Sequence, residues 1–329
     1  MPVRPGNNQP AGAVPPVRAE PTRRARAVRL AKVAGAVSMV VALAGCQAEP
    51  RPTVAPPPPP SPSPSIVRPD GSSCPDHPTP ACTGAPKGLR LTELPLNIDN
   101  VAYKVDTPGT VLDGVHIRGP LVIHADDVTI RNSVIDGHVT NADGDRSFRF
   151  TIADTTVGTA DTCGPLPGVG HDKYKATRLL VHGHSDGFRV SGDDVDIRDS
   201  YIKLCSNPGD HSDGIQAYVG GKGLTFHHNT VDQREAKHIT APIFLVDEKS
   251  EDVVVTDNLV MGGTFSIQVR NARGKQVVRG NKLVDQSWVY GPVDSECGRT
   301  DWAGNELVTI DENYRVTSIV GPLACDGAS

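Results

Sequence analysis

Two nearly identical heptapeptides bring histidine and carboxylate side chains together twice in this chain. HSDGFRV covers residues 184–190 and HSDGIQA covers residues 211–217, so their starts are 27 residues apart. Histidine often transfers protons near neutral pH, and paired carboxylates can serve as acid and base or hold a cation such as Ca²⁺. The predicted catalytic residues are His184, Asp186, Lys203, His211 and Asp213.

The heptapeptides also predict how these side chains are placed in space. If Phe188 and Ile215 occupy the same inward position on successive turns of a repeat, the two histidines and the two aspartates stack in pairs at ~4.8 Å. Stacked carboxylates repel each other unless one is protonated or a cation lies between them. We therefore predict a functional role, with Ca²⁺ held by Asp186 and Asp213. In the alternative interpretation, Asp-Gly is ordinary turn chemistry and the carboxylates bind backbone amides.

Strand alternation places further polar side chains on the same outer surface. In the strand after each heptapeptide, Arg189 and Gln216 point outward, and FSIQVRN at 265–271 has the same pattern. The long insertion 158–173 and the loop 205–210 are expected to wall the same region. The predicted substrate-binding residues are Arg189, Gln216, Lys237, His238, Gln268 and Arg270.

An irregular repeat must position these side chains. From residue 128 onward the chain repeats an eight-residue frame of alternating apolar positions, with Asn or Asp near its middle. The frames start 21 to 29 residues apart, and a second short apolar run precedes most of them. Such spacing is typical of a solenoid in which each repeat is one coil. Representative frames are VTIRNSVI (128–135), VDIRDSYI (195–202), LTFHHNTV (224–231) and VVVTDNLV (253–260).

Short strands joined by Gly and Asp turns, without a helical period, predict parallel strands stacked along one axis. A leucine-rich repeat would show a fixed period, and a β-propeller would need blades of about 40 residues, so both are disfavoured. Over roughly residues 96–290 the pattern resembles the right-handed parallel β-helix of the pectate-lyase-like group. The resemblance implies an all-β solenoid and a class dominated by enzymes that act on polysaccharides. We predict at least six coils, with an inward stack of Ile130, Ile152, Ile197, Phe226 and Val255.

The first 45 residues are predicted to be an export signal. Basic residues precede the apolar run VAGAVSMVVALAG, which is too short to span a bilayer and leads into LAGC at 43–46. LAGC resembles the lipobox of bacterial lipoproteins, which implies lipidation of Cys46 and anchoring to the outer face of the bacterial cell membrane. A secreted protein without a lipid anchor is the alternative.

The remaining chain is predicted to have three parts. The proline- and serine-rich segment 46–73 cannot pack a core and is expected to be a disordered linker. Residues 74–290 are assigned to the β-helix, with 74–100 closing its first end. Residues 291–329 are predicted to form a small C-terminal cap tied by a disulfide.

Charge and cysteine content limit the partners. Removing residues 1–45 takes away a net charge of +6 and changes the formal charge from −5 to −11, which argues against nucleic acid. We predict a monomer that meets the membrane only through its lipid. Six cysteines remain after Cys46, and in an exported protein they are expected to pair. Proximity favours Cys74 with Cys82, Cys163 with Cys205 and Cys297 with Cys325, although other connectivities stay open.

Several functions remain open at this stage. A polysaccharide lyase would use His211, Lys203 or Lys237 as a base beside a uronate carboxylate that Arg or Ca²⁺ neutralises. A glycoside hydrolase would use a carboxylate pair. A non-catalytic β-helix would only bind glycan, and a zinc site built from the heptapeptide histidines and an aspartate is a further alternative. We predict a lyase acting on a uronate-containing polysaccharide.

Overall fold

The inward residues of the repeating frame stack on one another and build the core. Ile130 pairs with Ile152 on the next coil, and the column continues through Ala176 to Ile197, Phe226 and Val255. These six side chains are at most 1% exposed. Each is packed against the coils above and below it, so its apolar surface is removed from water. The predicted inward stack is confirmed.

Three sheets surround this core in the computed structural model, which describes residues 74 and 76–327. Sheet 1 contains β2 (Tyr103–Val105), β5 (Leu121–Ile123), β8 (Val139–Thr140), β13 (Val169–Gly170), β16 (Phe188–Val190), β19 (Ile215–Ala217), β22 (Ile243–Leu245), β25 (Phe265–Val269) and β28 (Gly291–Ser295). Sheet 2 contains β3 (Val111–Asp113), β6 (Val128–Arg131), β11 (Phe150–Ala153), β14 (Tyr174–Thr177), β17 (Asp196–Arg198), β20 (Lys222–His227), β23 (Glu251–Thr256), β26 (Arg273–Arg279) and β29 (Thr300–Ala303). Sheet 3 contains β1 (Thr92–Leu94), β4 (Val115–Ile117), β7 (Val134–Ile135), β12 (Thr156–Val157), β15 (Leu180–His182), β18 (Tyr201–Lys203), β21 (Thr230–Asp232), β24 (Leu259–Met261), β27 (Lys282–Val284), β30 (Glu306–Ile310) and β31 (Val316–Pro322). A two-stranded hairpin, β9 (Ala142–Asp143) with β10 (Arg146–Ser147), projects from one coil.

The chain visits sheets 1, 2 and 3 in that order, and each visit to all three makes one coil. The described residues contain nine such coils, counted from β2 to β30. Every strand pair between neighbouring coils is parallel, and the coils wind in a right-handed sense. The prediction of a right-handed parallel β-helix with at least six coils is confirmed.

The corner between sheets 2 and 3, called the 2–3 corner, explains the Asn and Asp in the middle of each frame. Residues at this turn have φ near +50°: 52° for Asn132, 46° for Asp154 and 50° for Asp199. Asn and Asp adopt this left-handed conformation more readily than most residues. A ladder of buried asparagines follows, in which each Oδ1 accepts the backbone N–H of the preceding coil at 2.9–3.0 Å. The ladder consists of Asn229, Asn258, Asn281 and Asn305.

The C-terminal end differs from the predicted cap at 291–329. Residues 291–310 continue the solenoid as its ninth coil, because β28, β29 and β30 pair in parallel with the coil before them. Only β31 reverses direction and pairs antiparallel with β30. The hairpin tip between them folds back over sheet 3, where the Tyr314 hydroxyl donates to Asp232 Oδ2 at 2.9 Å. The disulfide Cys297–Cys325 ties the chain end to this coil.

The N-terminal segment also differs from the prediction, because residues 76–85 lie along the side of the solenoid and do not close its end. The Gly84 N–H donates to the Arg178 carbonyl at 2.9 Å, and the Ala85 N–H donates to Thr156 Oγ1 at 3.0 Å. A disulfide joins Cys74 to Cys82, so all three predicted pairings are confirmed. The predicted signal peptide, Cys46 and the linker lie outside the described residues.

Candidate functional site

The longest loops of the solenoid gather at one corner, between sheet 3 and the sheet 1 strand of the next coil, called here the 3–1 corner. Three of these loops have ten or eleven residues, whereas the loop 262–264 has three. The disulfide Cys163–Cys205 joins two of the long loops, and Asn207 Nδ2 also donates to the Cys163 carbonyl at 3.2 Å. Insertions on a single corner are typical of the binding side of a solenoid. The long loops are 158–168, 204–214 and 233–242.

The two heptapeptides enter sheet 1 from this corner and place their aspartates in register. Phe188 pairs with Ile215, as predicted, so Asp186 and Asp213 occupy the same position on neighbouring coils. Asp186 Oδ1 accepts the Asp213 N–H at 3.0 Å, and Asp213 Oδ1 accepts the Ala241 N–H at 3.0 Å. Each carboxylate thus links its own coil to the backbone of the next. These bonds agree with the alternative interpretation, in which the carboxylates of the Asp-Gly turns bind backbone amides.

Burial and charge set the protonation of this pair. Asp213 is 0% exposed, and burial raises the pKa of its carboxyl well above the ordinary value, with a further contribution from the charge of Asp186. The pKa of Asp186 is also raised by burial, although the Asp213 N–H and Arg189 oppose the change. Arg189 Nη2 donates to Asp186 Oδ2 at 2.9 Å. A guanidinium therefore supplies the positive charge that stacked carboxylates require.

The atoms of the pair do not fit the predicted Ca²⁺ site. Both oxygens of each carboxylate already accept hydrogen bonds, from two backbone N–H groups, from Arg189 and, at 2.5 Å, from Gln216 Nε2. A calcium ion takes six to eight oxygen ligands and would have to displace these donors. Within the part of the chain that the structure describes, no three His, Cys, Asp or Glu side chains form a group that could hold a metal ion.

The two heptapeptide histidines separate. His184 is 5% exposed, its Nδ1 lies 3.0 Å from the Leu166 carbonyl, and burial lowers its pKa to about 4. His211 is exposed. The His184 carbonyl accepts the Cys205 N–H, so His184 lies beside the start of the long loop and not beside His211. The bridge between Ser212 and Ile239 instead places His211 and His238 at the same position on neighbouring coils.

A depression of about 340 Å³ opens at this corner and is lined by Lys237 and His238. Ser206 Oγ accepts the N–H of both residues, at 2.8 and 3.1 Å, which holds the two long loops together. Lys203 Nζ donates to Glu235 Oε1 at 2.8 Å, and this bond raises the pKa of the lysine. Lys203 is therefore suited to act as a cation and not as a base. The depression is lined by Leu204, Cys205, Ser206, Pro208, Glu235, Lys237 and His238.

A row of outward side chains crosses sheet 1 beside this corner. Arg189, Gln216, Phe244 and Gln268 are consecutive partners in the register of four coils. Arg189 and Gln216 are partly exposed, but Gln268 is only 4% exposed. Arg270 lies further along the same coil, with Nη1 3.3 Å from Asp294 Oδ2. The sequence prediction of an outward row is confirmed in register, although Gln268 offers little surface to a ligand.

Three residues of this surface were missed by the sequence analysis. Phe244 takes the outward position of β22, and alternation from Ile243 was the available signal. The Arg189 guanidinium lies 5.5 Å from the centre of the Tyr218 ring, a cation–π contact that no local pattern indicates. Glu235 was missed because its contact with Lys203 joins residues 32 positions apart.

Comparisons with known proteins add no family to this description. No family model matches the chain, and no curated protein or solved structure matches it. Within the described ranges, no helix is long and apolar enough to cross a membrane.

Asp213 gives a direct test of the buried carboxylate. We expect Asp213→Asn to be tolerated, because Asn keeps the acceptor for the Ala241 N–H and its amide can donate to Gln216 Oε1, which has no partner among the described residues. Asp213→Ala should cost about 1–3 kcal/mol, because a buried N–H loses its acceptor. Urea unfolding of both variants measures this difference.

The pH dependence of the same variants has a definite sign. A carboxyl whose pKa is raised in the folded state stabilises the fold only while it is protonated, so the wild type loses stability as the pH rises from its unfolded value of 3.8 toward the folded value. The free energy of unfolding of Asp213→Asn relative to that of the wild type should therefore increase by about 1.4 kcal/mol per pH unit across that interval. A difference that is constant from acid to neutral pH would contradict the raised pKa.

Proposed function

We propose that this protein is a polysaccharide lyase that acts on a uronate-containing glycan at the 3–1 corner. The parallel β-helix fold is compatible with polysaccharide-active enzymes. The observation that carries the proposal is a depression of about 340 Å³ lined by the exposed side chains of Lys237 and His238, with the exposed His211 at the position of His238 on the neighbouring coil. Lys203, Lys237, His211 and His238 come from loops and strands of two neighbouring coils.

The choice of lyase over hydrolase follows from which groups reach solvent. A glycoside hydrolase needs two carboxyl groups that flank the scissile bond. Asp213 is fully buried, and both of its oxygens are bonded within the protein. Among the described residues, Glu235 is the one carboxylate that lines the depression, and it is paired with Lys203. The exposed His211, Lys237 and His238 suit proton abstraction and carboxylate binding.

Each basic side chain has a separate task in this proposal. Lys237 and Lys203 bind the uronate carboxylate, and their charge stabilises the electron density that develops on it as the adjacent C–H bond breaks. His211 or His238 takes that proton as general base. The electron pair forms a carbon–carbon double bond, the neighbouring C–O bond to the next sugar breaks, and the leaving oxygen receives a proton from the paired imidazole or from water.

The row on sheet 1 extends this site along the solenoid axis. Arg189 and Gln216 present polar groups, and Phe244 presents an aromatic ring, on strands that lie ~4.8 Å apart. A chain of sugars laid across several coils would meet these side chains in succession. The aromatic ring would pack on an apolar sugar face while the polar groups bond hydroxyls or carboxylates.

Product analysis tests the proposal. The full-length protein is incubated with a panel of polyuronates and neutral polysaccharides, and both unsaturated products and new reducing ends are measured. A lyase gives ultraviolet absorbance from the unsaturated uronate together with reducing ends. Reducing ends alone would identify a hydrolase and contradict the proposal.

The second candidate is a protein that binds glycan without cleaving it. The stacked carboxylates of Asp186 and Asp213 accept backbone hydrogen bonds that join the coils, so they have a structural role. Binding of a polyuronate with neither product would favour this candidate. In that case, replacing Lys237 by Gln should weaken polyuronate binding. The loss of affinity relative to the wild type should be larger at low salt, where surface charges are least screened. We place the protein on the cell surface in either case, on the basis of the predicted export signal and Cys46.

A further inference from the structure

A short segment near the start of the folded region is held against the 2–3 corner by an arrangement of two histidines. Residues 76–85, called here the strap, follow Cys74 and carry Cys82, its disulfide partner. His228, at the corner of the sixth coil, has Nδ1 2.6 Å from Asp199 Oδ1 and Nε2 2.7 Å from the Asp76 carbonyl. Both neighbours are acceptors, so both ring nitrogens donate only when His228 is an imidazolium.

The second histidine belongs to the strap and has the opposite requirement. His77 is 6% exposed, and its ring centre lies 5.6 Å from that of His228. Its Nδ1 is buried and has no hydrogen-bond partner among the described residues. A proton added there would bring a second positive charge beside His228 without an acceptor to stabilise it. His77 is thus kept neutral as long as the strap is docked.

We propose that the strap is an acid-released latch, because the docked state holds a charged His228 and excludes a proton from the neighbouring His77. The space needed for movement is present. A cavity of about 460 Å³ lies between the strap and the hairpin tip at Glu312 to Arg315. The disulfide Cys74–Cys82 holds the first part of the strap together as a unit, and the hydrogen bonds of Gly84 and Ala85 anchor its far end to the solenoid.

The titration of the two histidines agrees with this geometry. Burial, followed by the charge of His228, lowers the pKa of His77 from 6.5 to about 3. The pKa of His228 is raised by its bonds to Asp199 and to the Asp76 carbonyl, which outweigh its burial. Other charged or titratable groups near this pair are His227 and Asp257 beside His228, and Lys282 near His77. Asp76, Glu312, Tyr314 and Arg315 line the cavity next to His77.

The sign of the pH dependence differs between the two residues. His228 favours docking once the pH falls below its raised folded pKa. His77 opposes docking below pH 6.5, since only the released strap takes up its proton, and this effect continues down to about 3. Docking is therefore strongest near neutral pH. Through His77, the ratio of released to docked strap approaches a tenfold rise per pH unit below 6.5, and at pH 5 it is roughly 30-fold above its value well above pH 6.5.

Amide hydrogen exchange of the full-length protein tests the latch. Exchange in residues 76–85 is followed by mass spectrometry at neutral pH and near pH 5, with correction for the intrinsic rate. The wild type should show an opening equilibrium about 30-fold larger in acid. His77→Phe, which keeps an aromatic ring but cannot be protonated, should show almost no increase, and His124→Gln, far from the strap, should behave as the wild type.

Equal acceleration in the wild type and His77→Phe, or none in the wild type, would overturn the proposal. Because His77→Phe could fail to dock, a second measurement uses the wild type alone. The His77 ring is followed by NMR with labelled histidine, and its titration midpoint is expected well below that of an exposed histidine. A midpoint near 6.5 would show that docking does not exclude the proton. Neither result depends on glycan activity.

Discussion

Replacing Phe226 with alanine is expected to lower the free energy of unfolding by about 3–5 kcal/mol, the range for truncating a buried aromatic residue. Phe226 is 0% exposed and lies between Ile197 and Val255 in the central stack. The coils above and below are tied by the backbone ladder and by the buried asparagines of the 2–3 corner. They cannot collapse to fill the space, so the variant loses both burial and packing.

Thr225→Ala on the same strand is the matched control. Its side chain points outward between Asp196 and Val254, so its removal opens no internal cavity. Chemical unfolding of both variants, followed by circular dichroism, gives the comparison. A loss below about 1 kcal/mol for Phe226→Ala would mean that the column is not the continuous core described here.

The second large effect concerns catalysis. We expect the double variant His211→Gln/His238→Gln to lose about 10²-fold or more of the proposed lyase turnover, the lower range for removing a general base. Both histidines are changed because the bridge between Ser212 and Ile239 places them at the same position on neighbouring coils, and the proposal assigns the base to either of them. Both side chains are exposed, so the melting temperature should stay near that of the wild type.

His124→Gln serves as the control for this experiment, since His124 lies in the second coil, outside the 3–1 corner. Turnover and melting temperature are measured on the same samples. If the double variant melts and turns over normally, the base lies elsewhere. If turnover falls only in proportion to the folded fraction, the histidines have a structural role.

Much of the fold was accessible from the sequence because a solenoid repeats its local pattern. Alternation within each frame predicted which side chains face inward, and the equivalence of Phe188 and Ile215 was read correctly from two heptapeptides. Proximity along the chain favoured the three cysteine pairings, although only Cys74 and Cys82, eight residues apart, are close enough for shortness to decide. Asn and Asp in the middle of each frame indicated the turn, because few other residues adopt its positive φ.

Other features depended on how loops of different length close each coil. The corner before β16 has five residues and the corner before β19 has eleven, so the register that holds for the aspartates is lost at the histidines before them. His211 is therefore aligned with His238, and His184 is buried under the neighbouring insertion near Leu166.

The sequence by itself determined the repeating strands, the inward stack and the basic and acidic residues available to a site. Only the tertiary structure decided which of those residues meet solvent. Asp213 and His211 are two positions apart, yet one is fully buried and the other exposed. The local alternation of apolar and polar residues determines to which side of its own strand a side chain points. Burial, charge and partners are set by the neighbouring coil and by segments as distant as the strap, because those groups approach only when the chain has coiled.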